Sequence, residues 1–196
     1  MVLSTTRALK EWAIAIQALE TGEIICLWRK GGIQETEKRF QVDRDWIWLY
    51  PTYEHQKPSL LKPVYAAQVK PVPSGWHPDK ITISSGAKVT DVLELTEPEQ
   101  IQGLFHNLFA EQIWTEDFIS DRLRWKPQKP LSLLLLRVYR LSKPAIVPYD
   151  ASYGGCKSWI DLQITISGDR LSPVLNDSIY EQRCNQIRAL CAVTGG

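Results

Sequence analysis

The apolar positions of this chain change period several times. Between Thr5 and Glu20 they recur at intervals of three and four, at Leu9, Trp12, Ala13, Ile16 and Leu19. That spacing predicts an amphipathic helix over 5–20, with Ser4 or Thr5 as cap and Gly22 as stop. The period then shortens. EIICLW, from Glu23 to Trp28, has the character of a buried strand, and the RKGG that follows reads as a tight turn. Two further strands are predicted over Arg39–Val42 and Asp45–Tyr50. In the second, Trp46, Trp48 and Tyr50 share one face while Ile47 and Leu49 share the other. Both faces are apolar, as in a strand covered on two sides.

Six of the twelve prolines fall between Pro51 and Pro78, which predicts a long loop with one extended segment near Val64 to Val69. Strand character returns from Lys80 to Leu95, with a break at Ser85-Gly86. Thr96-Glu97-Pro98-Glu99 signals a helix start, with Thr96 as cap and Glu99 completing a capping box. Ile101, Leu104, Phe105 and Leu108 supply the buried face of that helix, and a second helical piece covers Glu116 to Leu123. LSLLLLRVYRL, from Leu131 to Leu141, reads as a central strand, and KPAIVP as a rigid exit. Tyr153 to Ile166 turns on a glycine pair and continues as an alternating strand. Asp177 to Ala192 is a helix with Ile179, Arg183, Ile187 and Leu190 in register. The succession predicts an α+β fold with a mixed, partly barrel-like sheet and flanking helices. The expected organisation is a single domain, 1–196: N-terminal helix 5–20, sheet core 23–166, helical insertion 97–124 and C-terminal helix 177–192.

Composition narrows the classes. With 44% hydrophobic and 23% charged residues, the chain matches a soluble globular protein rather than a disordered or fibrous one. The net charge of +1 provides no global field for nucleic acid or an anionic membrane, so such a partner requires a local patch. The first twenty residues lack a secretory pattern and no apolar run is long enough to span a bilayer, which makes no membrane and a cytoplasmic location the expectation. Cys26, Cys156, Cys184 and Cys191 then read as reduced, largely buried residues without zinc-site spacing. No metal and no cofactor are expected.

KEWAIAIQAL, LWRKGGI, WLYPTYEHQ, RVYRLSKP and YGGCKSW resemble the markers of an uncharacterised bacterial family, domain of unknown function 1802, which is frequent in cyanobacteria. The resemblance runs from Lys10 to about Asp161. Some members are associated with a restriction-endonuclease catalytic domain, which implies an indirect link to restriction–modification or nucleic-acid handling; these 196 residues leave no room for that domain. More loosely, the succession of KVTDVLEL, helices, LLLLRVYRLSKP and a Gly-turn strand ending on Trp is similar to PUA-like barrels. That resemblance implies recognition of RNA or of modified bases in DNA.

Candidate chemistry concentrates in a few places. Arg29 and Lys30, before Gly31-Gly32, suit a phosphate-contacting corner, or else the basic end of an ordinary hairpin. PTYEHQK is the densest polar cluster: Gln56 can read a base edge and Tyr53 can stack on it, with His55 as further polar readout. In an enzyme, a nuclease or small nucleotide-directed hydrolase, Glu54, His55 and Lys57 would form the centre, with Asp43 or Asp45 nearby in sequence. Trp48 and Trp159 are candidate walls of a base pocket, or core plugs, and Lys157 precedes Trp159 on the Gly turn. Arg137 and Arg140 interrupt an apolar strand on opposite faces, so an inward one needs an acidic or phosphate partner. The leading expectation is a DNA- or RNA-binding module of PUA-like type, using Arg29, Lys30, Trp48, Tyr53, His55, Gln56, Arg137, Lys157 and Trp159. The alternatives are the hydrolase and a protein-interaction scaffold that uses the proline-rich loop.

Overall fold

The computed structural model describes residues 5–30, 46–155, 157–168 and 170–193. The expected Arg39–Val42 strand, the Gly31-Gly32 turn, Ser4, Asp43, Asp45 and Cys156 lie outside them. Among the described residues the strands are β1 (Arg7–Trp12), β2 (Cys26–Lys30), β3 (Trp46–Thr52), β4 (Lys80–Leu95), β5 (Leu131–Pro148), β6 (Trp159–Asp161) and β7 (Leu171–Pro173). The helices are α1 (Ala13–Glu20), α2 (Pro63–Ala66), α3 (Pro98–Asn107), α4 (Glu116–Arg124) and α5 (Asp177–Val193). The sheet runs β2-β5-β4-β3-β1-β6, with β7 also on β5, and this path does not close. β1 and β3 are parallel and the other pairs antiparallel, so the architecture is α+β around a mixed sheet, as the hydrophobic pattern predicts. No helix among the described residues is long and apolar enough to cross a membrane.

The long central strands carry two cores. On β3, Ile47 and Leu49 join the larger core with α1, β2 and the buried faces of α3, α4 and α5. Trp48 and Tyr50 point the other way, into a smaller core with Ile81, Ile83, Val147, Tyr153 and Ile160. The expected two-sided burial of this strand is therefore observed, and it follows from the alternation of side chains across the pleat. α3 and α4 occupy the expected helical insertion.

Several local expectations are corrected. Only the second half of 5–20 is helical; residues 7–12 form β1, paired with β3 on one side and β6 on the other. An apolar stripe with helical spacing is also compatible with a strand over six residues, and the two ladders decide it. Gly22 ends α1 as expected, at φ 75°, where an added Cβ would lie 2.7 Å from Leu175 Cδ2. The segment near Val64 is the short helix α2, begun by Pro63, rather than extended chain. Ser85-Gly86 does not break β4; the strand continues through a register shift between Ile83 and Ser85. The capping box of α3 is not formed, because Thr96 Oγ1 donates to the Glu97 carboxylate at 3.1 Å.

KPAIVP extends β5, pairing with the start of β4 where β5 has no second partner among the described residues, a position that tolerates proline. The alternating segment after Tyr153 contributes only the three-residue β6. On α5, Tyr180, Cys184 and Ile187 form the buried stripe, while Ile179 is exposed.

Candidate functional site

The parallel pair β1–β3 places two chain exits side by side, with Glu11 opposite Pro51 and Trp12 opposite Thr52. Beyond that edge the chain leaves β3 through Tyr53 and Glu54. Here the loop at Gly75–Pro78 and the turn at 149–155 converge on it. Together they enclose a cavity of about 110 Å³, lined by Tyr50, Tyr53, Trp76, His77, Tyr149 and Tyr153, with Lys10 and Glu54 as its charged groups.

Ring contacts fix the walls. His77 stacks on Tyr149 with centroids 3.4 Å apart and planes 8° from parallel. Tyr149 meets Tyr153 edge-on at 6.3 Å, and Tyr153 meets Tyr50 edge-on at 5.7 Å. Tyr53 and Trp76, which line the same cavity, form an edge-to-face pair at 6.0 Å, and both are partly open to solvent. Such pairs hold rings at defined angles. Burial, reinforced by the neighbouring Tyr149, Tyr153 and Tyr53, raises the Tyr50 phenol above its ordinary range, so its hydroxyl stays protonated.

The polar groups are equally anchored. Lys10 Nζ donates to the carbonyls of Tyr153 at 2.6 Å and Gly155 at 2.9 Å, tying β1 to the turn. Gly155 makes that turn with φ 77°, a conformation that costs glycine little. Glu54 Oε1 accepts from the Gly75 amide at 2.5 Å and from Ser74 Oγ at 3.3 Å, tying the end of β3 to the proline-rich loop. The Gly75 amide lowers the Glu54 carboxyl below its usual value, with His55 and Ser74 adding to it. The cavity thus offers a cation held by carbonyls, an ionised carboxylate, and walls of aromatic rings.

Of the residues predicted from sequence, Tyr53 and Glu54 line this cavity. His55 adopts φ 63° and is exposed, with Nε2 3.0 Å from Glu54 Oε1. Gln56 accepts from the Ile14 amide at 3.1 Å and donates to the Tyr53 carbonyl at 3.3 Å, so it braces the segment from behind. Lys57 is exposed and does not line the cavity. Lys157 reaches the Ser152 carbonyl at 3.3 Å, beside the turn.

The others lie elsewhere. Arg29 pairs with Glu11 at 2.5 Å, and Lys30 is buried with its Nζ 3.4 Å from the Leu123 carbonyl, so this pair does not form an exposed phosphate corner. Trp48 is wholly buried and donates to the Thr5 carbonyl at 2.8 Å, which makes it a core residue. Trp159 packs against the larger core under the Arg7 guanidinium, 4.8 Å from its ring. Arg137 is the inward arginine, held by Asp177 at 2.7 Å between the rings of Tyr139 and Tyr180, while Arg140 is exposed.

Lys10, Tyr50, Trp76, His77, Tyr149 and Tyr153 are lining residues the sequence reading missed. The available signal was the density of Trp, His and Tyr next to Gly and Pro at 75–78 and 149–155. Among the described residues no three His, Cys, Asp or Glu side chains group as metal ligands.

Comparison with known proteins bears on the whole chain. The sequence model of a family described as "Domain of unknown function (DUF1802)" matches residues 8–186. No curated protein matches significantly. Among solved structures, the chain is similar to a mutant ZmASCH protein from Zymomonas mobilis. The identity is 11% and the TM-score 0.46, over 94% of this chain and 99% of that one. It is also similar to the crystal structure of ASCH from the same organism, at 13% identity and a TM-score of 0.44, covering 92% and 93%.

Proposed function

The chain belongs to the DUF1802 family, and we propose that in this member the aromatic cavity binds one flat heteroaromatic ring, a nucleobase presented by single-stranded nucleic acid. The observation that carries this reading is the combination of stacked and edge-on rings with Lys10 and Glu54 in one small space. A splayed base is recognised in that way, by stacking on aromatic faces and by polar groups that meet its hydrogen-bonding edge. An ionised Glu54 accepts from an exocyclic or ring N–H, and Lys10 donates to a base carbonyl. The volume supports a size class as well. About 110 Å³ is of the order of the ~150 Å³ cavity that admits benzene, which favours a single-ring pyrimidine over a purine.

The phosphate contacts in this reading come from cations around the mouth. Lys157 is exposed beside the 151–155 turn, and Lys57 follows the Tyr53–Gln56 segment. Arg29, Lys30 and Arg137 are engaged inside the fold and take no part.

The test is binding of labelled single- and double-stranded DNA and RNA across a salt series, with and without Mg²⁺. Single strands rich in pyrimidines are expected to bind more tightly than duplexes. Base–aromatic stacking is worth about 1–3 kcal/mol, so Trp76→Ala and Tyr53→Ala should each weaken binding roughly tenfold. Both side chains are partly exposed, which keeps the fold intact in the variants. Equal affinity of wild type and both variants, or preference for duplex, would refute the proposal. Turnover of a strand in the presence of Mg²⁺, lost in Glu54→Ala with binding retained, would instead establish the hydrolase.

A further inference from the structure

Tyr53 lines a second cavity as well as the first. This neighbouring space, about 150 Å³, lies over the start of α1 and is bounded by Ile14, Gln17, Gln56, Gln68 and Lys70. Its chemistry differs from that of the aromatic cavity. Three carboxamides face it, with Gln17 Nε2 donating to Gln68 Oε1 at 3.0 Å. Gln68 Nε2 in turn donates to the Val64 carbonyl at 2.9 Å, and Gln56 is fixed by the Ile14 amide and the Tyr53 carbonyl. The amides therefore stand in set orientations at the wall, beside the apolar side chain of Ile14 and the exposed ammonium of Lys70.

We infer that a ligand crosses Tyr53 and fills both spaces, so that the chain binds two consecutive nucleotides of a single strand rather than a free base. The inference rests on the nucleobase reading of the first cavity and extends it. Carboxamides carry donor and acceptor on one plane and match the edge of a base, which suits the second space to a flanking nucleotide. Tyr53 stands between the two spaces, where an aromatic ring can stack on successive bases. Lys70 provides a cation for a phosphate of the same strand. The Gly75 amide anchors Glu54 beside Tyr53, and Gln56 bonds both the Ile14 amide and the Tyr53 carbonyl, which presets the partition before ligand arrives.

The experiment compares uridine and cytidine 5′-monophosphates with the dinucleotides UpU, CpC and TpT by calorimetry on the full chain. One additional stacked base corresponds to about tenfold tighter binding of a dinucleotide. Gln68→Ala combined with Lys70→Ala should remove most of that gain while leaving mononucleotide affinity within about twofold. Both side chains are exposed and lie outside the first cavity, and a thermal melt confirms that the variant is folded. Mononucleotides that bind as tightly as dinucleotides overturn the inference and leave the base-binding cavity standing. The same result follows if the double variant weakens both ligands equally or neither. Absence of binding by mononucleotides and dinucleotides alike overturns both readings.

Discussion

Replacing Glu11 by glutamine should destabilise the protein by about 3 kcal/mol, and the structure shows where that figure comes from. Glu11 is 8% exposed, its Oε2 lies 2.5 Å from Arg29 Nη1, and its Oε1 accepts from the Trp12 amide at 2.8 Å. Arg29 is 13% exposed, and the half-buried Arg122 stands within electrostatic reach of both. Removing one partner of a buried pair costs about 3–5 kcal/mol because the remaining charge is left uncompensated. Glutamine still accepts from Trp12, which returns about 1 kcal/mol of hydrogen bonding. Arg29→Met should cost less, about 2 kcal/mol, since Glu11 keeps the Trp12 amide and Arg122.

The double variant should lose clearly less than the sum of the two, because the contact is shared. Urea denaturation followed by circular dichroism measures all three. With a slope of about 2 kcal/mol/M, Glu11→Gln lowers the midpoint by ~1.5 M. A shift below about 0.3 M, or strict additivity in the double variant, would refute the assignment of this pair as a buried, coupled contact.

Gly86→Ala should destabilise by about 1–3 kcal/mol in the same assay, because its Cβ would sit 2.9 Å from Trp46 Nε1 and 3.0 Å from the Ile47 carbonyl. Unchanged stability would mean that β3 and β4 have room to separate. Asp91 carries the acid dependence of the β4–α5 contact. Burial alone would raise its carboxyl, but the bonds from Arg188, at 3.0 and 2.8 Å, and from Thr90 outweigh it and hold it below the ordinary aspartate range. That contribution is complete above about pH 4 and is lost as the pH falls through the lowered folded value. Wild type should therefore exceed Arg188→Met in urea midpoint at pH 7 and converge on it as the pH falls below the lowered folded value; a constant gap would contradict this. Lys10→Met should loosen the turn at Tyr153–Gly155 and weaken pyrimidine-strand binding at least as much as Trp76→Ala. Titration of labelled strand checks this, and unchanged affinity would remove Lys10 from the site.

Long-range partners decide how much of the molecule is legible in its sequence. The two apolar faces of β3 are written directly in the alternation of Ile47 to Tyr50, and the observed cores follow it over these four residues. The need of an inward arginine for an acid is also legible, although the identity of Asp177, forty positions later, is not. β1 is misread because its helical spacing is genuine while its two ladders lie at residues 48–52 and 159–161. The candidate site divides in the same way. Tyr53 and Glu54 stand out in a polar cluster after a strand. Lys10 is unremarkable in its own neighbourhood, and the aromatic clusters around Trp76 and Tyr149 become a site only where three distant segments meet. Arg29 and Lys30 make the opposite error plausible: a cationic pair before glycines resembles a phosphate corner, but burial and Glu11 determine what it does.

The position of β1 between β3 and β6 also orders events in time. β1 acquires one neighbour from some forty residues further along the chain, and the other from about 150 residues further along. Contacts of such separation carry a large loop-closure cost before they are rewarded, and they slow folding. On the ribosome, β1 must therefore remain unpaired on at least one edge until the segment that carries β6 has emerged. The 149–155 turn, which completes the aromatic cavity, is synthesised at nearly the same moment as β6. Closure of the sheet edge and completion of the binding site thus belong to one late step of folding, and a chain that has not finished folding presents no site.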